Sequence, residues 1–265
     1  EPAPICGRGT HAVRRGYGEG VLIDRHDVGA MRVWWLPALV CVVSILSTHI
    51  AYVISVSKGQ VPACIPYFEG CTSISAAARQ EPAVHLFRAT MIPVAVFIAA
   101  TWWLAGQWLR QAGDRSPVWN RAVIVVGVIG AIFLVLYATF MGTHGLAYGV
   151  MRRYGVIVFF GFTALNQMIV TARLQRLRRG GHPVACRRKE RIMLALVTLM
   201  LGAGLANIPA AHFLDGAGLE NVIEWTFALL MMAWFGVLAG QWKHAGLAVR
   251  TGQIPPRGPG RTLVR

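Results

Sequence analysis

Charge is scarce in this sequence. Only 14% of its 265 residues are charged, against about 25% in a typical soluble domain. Acidic residues are the rarest of these, 11 Asp and Glu against 26 Lys and Arg. A chain with so little charge cannot clothe the surface of a soluble domain of this length. Catalytic signatures are absent too. There is no G-x-x-x-x-G-K-[ST] phosphate loop, no H-E-x-x-H zinc helix, no G-x-S-x-G elbow and no G-x-G-x-x-G turn. No cofactor or metal is implied. The formal net charge of +15 raises nucleic acid as a partner. However, no zinc-finger, RNP or helix-turn-helix spacing accompanies it, and no nucleic-acid binding is expected.

What the sequence has in quantity is apolar length. Hydrophobic residues make up 55% of the chain and the mean hydropathy is +0.51. A bilayer core about 30 Å thick takes roughly 20 apolar residues per helix. Six runs meet that length, near Val33–Val56, His85–Leu109, Ala122–Met141, Gly149–Ala172, Ile192–Ala211 and Asn221–Trp242. The expected fold is therefore all-α, a polytopic membrane protein with six transmembrane helices in a bundle, covering 31–242. Residues 1–30 are rich in Gly and charge without periodicity, which predicts a disordered or non-native extension. Residues 243–265 read as a basic, Pro/Gly-rich tail.

Lys and Arg set the orientation. The links after the second and fourth runs, the tail and Arg32 carry 17 basic residues, eight of them between Arg173 and Arg191, whereas the opposite side carries five. Both termini are thus predicted cytoplasmic, in a plasma or inner membrane. The eight-charge loop 173–191 either sets topology alone or also attracts anionic lipid headgroups. The acids Glu69, Glu81, Asp215, Glu220 and Glu224 fall on the outer side. Glu224 begins the sixth run, where a carboxylate suits the positive end of a helix. Trp225 beside it, like Trp34, Trp35, Trp102, Trp103, Trp108, Trp119 and Trp242, is expected in an interfacial belt.

A cluster of outer polar groups offers candidate chemistry. His49, His85, His144 and His212, with Asp215, Glu224 and Ser73 or Ser75, would form a metal or hydrolytic site if they converged, and otherwise hydrogen-bond between helices. No pair has a tight ligand spacing, so no metal is assigned. In the long outer loop Cys64 and Cys71 either form a disulfide, which is the expectation on an oxidising face, or stay as two thiols. Within the hydrocarbon Asn166 and Gln167 are expected to bond across helices. Gly145-x-x-x-Gly149 and Gly236-x-x-x-Gly240 match a helix-packing motif.

Two segments carry a family resemblance. The loop PYFEGCTSISAAARQEPAVHLFR, through Ser73-Ile74-Ser75, Glu81-Pro82 and Phe87, and the sixth run, through Asn221, Glu224 and Trp225, resemble the DRAM-type autophagy modulators and the FGF-receptor-activating-protein family. That group also includes Golgi proteins acting after GPI attachment and the N-terminal region of a yeast cell-wall-biogenesis protein. The usual acidic-Thr-Gly element after Ile-Ser is replaced here by AAARQ. The resemblance implies a six-helix membrane protein in lipid organisation, lipid sensing or membrane trafficking, with membrane lipids as partners. It carries no catalytic residue set. The alternative is a lipid-modifying membrane enzyme that uses the outer His and carboxylates.

Overall fold

The computed structural model describes residues 30–182, 186–213 and 217–250. The elements run β1 (Ala30–Arg32), α1 (Trp35–Ser57), α2 (Pro66–Glu69), α3 (Ile74–Ala77), α4 (Ala83–Gln111), α5 (Pro117–Thr139), α6 (Leu146–Arg179), α7 (Arg187–Phe213), α8 (Ala217–Ala245) and β2 (Ala248–Arg250). Each predicted run is a helix, and each helix continues beyond its apolar run. Pro117, at the first turn of α5, is a favoured helix start because its missing N–H would have no partner there. Strand β2 and the last turn of α8 fall inside what the sequence suggested was a tail.

Consecutive long helices pack on one another, and α1 packs on both α4 and α8, so the first and last long helices described are neighbours. The two strands pair antiparallel, Ala30 opposite Arg250 and Arg32 opposite Ala248. Lys243 adds a cation over the Trp34 ring, 4.8 Å from its centroid. This end of the bundle is called the strand end, and the one carrying α2 and α3 the loop end.

Among the described residues five helices are long and apolar enough to cross a membrane: α1, α4, α5, α6 and α8. The prediction of six spans is met here by five. The first turn of α7 holds Arg187, Arg188, Lys189, Glu190 and Arg191, and its side chains beyond Ala206 lie outside the description. Large apolar side chains point outward along the long helices, among them Val42, Leu46 and Val53 on α1, Val96 on α4, Val125 and Ile132 on α5 and Ile157 on α6. Water would not support such surfaces, but hydrocarbon does.

The core is aromatic and tightly apposed. Trp102 packs against Trp234 and Phe235 at 5.7 and 5.3 Å, and a Cβ on Gly127 would come within 2.3 Å of its ring. Trp102, Trp108 and Trp242 are therefore core residues, which corrects their assignment to an interfacial belt. Trp103 and Trp119 are exposed as a belt requires. Asn166 and Gln167, both fully buried, donate to the Val123 carbonyl on α5 (2.8 Å) and the Met231 carbonyl on α8 (2.9 Å). Gly236 lies against Cys41 of α1, and Gly240 against Lys189 of α7. The other glycine pair is not a packing motif. Gly145 precedes α6, and a Cβ on Gly149 would meet open space.

Polar ties hold the strand end. Arg173 grips Asp114 with two nitrogens, Nε at 2.6 Å, joining the α4–α5 link to α6. The Arg178 Nε lies 2.6 Å from the Glu190 carboxylate, joining α6 to α7.

Candidate functional site

The loop between α1 and α4 is built by local rules. Pro66 opens α2, and Gly70 closes it in the left-handed conformation, at φ 60°. The Glu69 carboxylate accepts from the Ile65 N–H at 2.8 Å. Ser73 caps α3 by accepting from the Ala76 N–H at 3.0 Å. Cys64 and Cys71 are joined by a disulfide with Cα atoms 6.4 Å apart. The ring this closes removes about 2.5 kcal/mol of unfolded-chain freedom on the entropic model. Two side chains of α1 fasten the loop below. The Ser55 hydroxyl donates to the Ala77 carbonyl at 2.6 Å, and the Tyr52 hydroxyl lies 2.7 Å from the Cys64 carbonyl.

The first turns of α8 fasten the loop from the other side. Asn221 Nδ2 donates to the Gly70 carbonyl at 2.8 Å. The Trp225 indole N–H donates to the Thr72 carbonyl at 2.9 Å. The Glu224 carboxylate, between them in sequence, faces the backbone of Ser75 and Ile74. Asn221 and Trp225 thus hold two carbonyls of the loop, which is folded over the bundle. The approach is close: a Cβ on Gly70 would fall 1.8 Å from the Gly218 carbonyl oxygen.

Trp225 is buried and is not the interfacial belt residue expected of it. Its ring sits in a box of His49, Tyr52 and Tyr67, at 5.5, 5.9 and 5.7 Å between centroids. His49 Nδ1 lies 2.7 Å from the Ile45 carbonyl, an acceptor, so Nδ1 carries the proton. Nε2 then accepts from the Tyr67 hydroxyl at 3.0 Å. Desolvation pushes the Tyr67 phenol up, which keeps it a donor. His49 therefore has both ring nitrogens engaged. Beyond Glu224, buried Tyr137 and Ser75 share the wall of one pocket, and Ser73 Oγ lies 3.3 Å from Ser75 Oγ.

The sequence-selected residues thus separate into two groups. Asn221, Glu224, Trp225, Ser73 and Ser75 come together, with His49. His85 is exposed and pairs with Glu81 at 3.4 Å, while His144 is exposed in the α5–α6 link. Both are exposed, whereas the cluster is packed between α8 and the loop, so neither belongs to it. The His212 side chain and Asp215 lie outside the described residues. Among the described residues no group of three His, Cys, Asp or Glu is placed to hold a metal ion. Sequence reasoning missed Tyr52, Tyr67 and Tyr137. Tyr52 follows His49 by three positions, the spacing of one helix face, and that signal was available.

Beneath the covered end lies a crevice of about 50 Å³, room for about four waters or a short length of acyl chain. His49, Tyr67, Glu224 and Trp225 line its loop end. Met91, Leu134, Phe159, Met231 and Met232 line its depth. The result is one polar mouth on an apolar slot.

No curated protein and no solved structure matches the chain. Residues 32–245 match the family described as Frag1/DRAM/Sfk1/Cwh43P N-terminal domain, a match that spans every long helix and the loop whose Ser-Ile-Ser segment meets the Glu-Trp pair of α8. The chain belongs to that family.

Proposed function

We propose that this multi-pass membrane protein holds a lipid in the crevice and acts, without catalysis, in lipid organisation, lipid sensing or membrane trafficking. The shape of the crevice carries this reading. Its polar mouth suits a headgroup or glycerol backbone and its Met- and Phe-lined depth suits an acyl chain. The alternative, a lipid-modifying enzyme, draws on Glu224 and His49 facing the same mouth. Against it, His49 spends both ring nitrogens on Ile45 and Tyr67, which leaves no free base there.

Six spans and two cytoplasmic termini fit the same reading. The pairing of β1 with β2 supports an even number of crossings between them. Helix α7 is the sixth crossing, and it turns Leu194, Leu199, Leu201 and Leu205 outward. The 17-to-5 excess of Lys and Arg puts the strand end in the cytoplasm. The basic loop 173–191 then faces anionic headgroups of that leaflet, each charge near the surface contributing about 1 kcal/mol.

The test is to extract and quantify lipid from protein purified in mild detergent. Ala228→Leu, which fills the crevice from a small lining residue, is expected to lower retained lipid roughly tenfold without changing the unfolding midpoint. Retention equal to wild type rejects the crevice as the lipid site. Chemical conversion of the retained lipid, abolished by Glu224→Gln, would establish the enzyme reading instead.

A further inference from the structure

We propose that a second pocket, on the far side of Tyr137 from the crevice, binds the phosphate of a phospholipid headgroup. It is an open pocket of about 580 Å³ at the loop end, lined by Arg79, Arg152 and Arg153, with Ser75 and Tyr137 on its wall. Arg79 follows α3, whereas Arg152 and Arg153 lie in the second turn of α6, so the three guanidiniums converge from segments far apart in the chain. Gly149 leaves the space beside them open.

Two observations point to an anion. First, this is the end of the bundle with few cations. Among the described residues it holds five basic residues against 14 toward the other end, and three of the five share one pocket. Charge bias for topology works against that placement, and three like charges in one recess repel without a counter-ion. Second, among the described residues none of the three forms an ion pair, whereas Arg173 and Arg178 at the strand end each have a carboxylate. Glu224 is near enough to act on Arg79, but it lines the crevice and not this pocket. Arg152 has a single long contact, 3.5 Å to the Thr143 carbonyl. Guanidinium forks match phosphate oxygens in pairs.

The neighbourhood favours a lipid over a free phosphate. Leu146, Val150 and Tyr154 beside the arginines are 90%, 46% and 60% exposed, an apolar flank for acyl chains at the level where α6 begins. The proposal rests on the reading of the loop end as a membrane surface, and it adds the anionic headgroup class to the lipid already proposed.

The experiment is native mass spectrometry of the full chain in uncharged micelles, titrated with phosphatidylglycerol, with diacylglycerol, and with inorganic phosphate as competitor. Arg152→Gln/Arg153→Gln is expected to weaken phosphatidylglycerol retention roughly 30-fold, the effect of two surface charges, with diacylglycerol unchanged. Arg79→Gln, an exposed side chain, should weaken it about fivefold by the same arithmetic and leave folding intact. Equal retention by wild type and variants, or no phosphatidylglycerol bound by wild type, overturns the proposal. Parallel loss of diacylglycerol assigns the effect to the crevice. Displacement of phosphatidylglycerol by millimolar phosphate makes the ligand a free anion and overturns the lipid assignment. Failure of wild type to hold diacylglycerol, with phosphatidylglycerol still sensitive to the arginines, rejects the crevice reading alone.

Discussion

Asp114 sits in the short link between α4 and α5, 4% exposed, where a carboxylate on its own would be costly. Burial draws its pKa up, but the two-pronged Arg173, the Ser116 N–H and Arg176 outweigh burial and hold it below the ordinary carboxylate value. A carboxyl lowered by folding stabilises the fold above its unfolded pKa, near 4, and loses that contribution as pH falls through the folded value. Asp114→Asn leaves Arg173 buried without its counter-charge. It is expected to cost about 3 kcal/mol at pH 7, and its stability should then vary less than wild type below about pH 4. Unfolding midpoints across pH in micelles measure both, and an unchanged midpoint at pH 7 would sink the argument. At this scale the sequence was partly legible. Asn221, Glu224, Trp225 and the Ser73–Ser75 segment were found because short matched motifs name them. His85 and His144 were grouped with them by side of the membrane, and that says nothing about which way a helix face turns. Tyr67 and Tyr137 join the cluster only through packing between distant segments, which no local pattern encodes.

Helices were legible at the scale of elements because about 20 apolar residues in a row have few other uses. Their ends were less so, since α4 and α6 run on past the hydrocarbon into residues such as Arg110 and Arg176–Arg179. Helices α2 and α3 are only four residues each, too short for periodicity, and they were not read from the sequence. How the loop meets α8 turns on Gly70. Its φ of 60° and its carbonyl bond to Asn221 need a backbone with no Cβ, and a methyl there would overlap Gly218. Gly70→Ala is expected to lift the loop off α8 at a cost of about 2 kcal/mol. Cleavage of residues 65–82 by a broad-specificity protease should then quicken roughly 30-fold, following the population of the open state. Cleavage at the wild-type rate would mean that the loop does not depend on this seat.

For the whole molecule, the strand pair bears on how the chain is threaded through the membrane. Two strands of three residues each give no usable alternation, so the pairing was illegible beforehand, although the charge bias had already suggested an even number of crossings. Reporter fusions after Arg121, Arg191 and Arg265 are expected to read the cytoplasmic side alike. A fusion at Arg265 reporting the opposite side would remove the even count and with it the crossing by α7.

The contact of α1 with α8 also sets an order of events in time. On the ribosome α1 is made well before α8, yet α8 supplies one of its walls. Until α8 follows, Ser44, His49 and Tyr52 have no Trp225 beside them, and the crevice has no polar mouth. A nascent chain halted after α6 would hold four hydrophobic helices with an open seam. Joining that seam is a late step that couples residues almost the full length of the chain apart, and such distant closures are the slow ones in folding. The newborn protein thus passes through a stage in which the crevice is still a gap facing the bilayer, open from the side until α8 closes it.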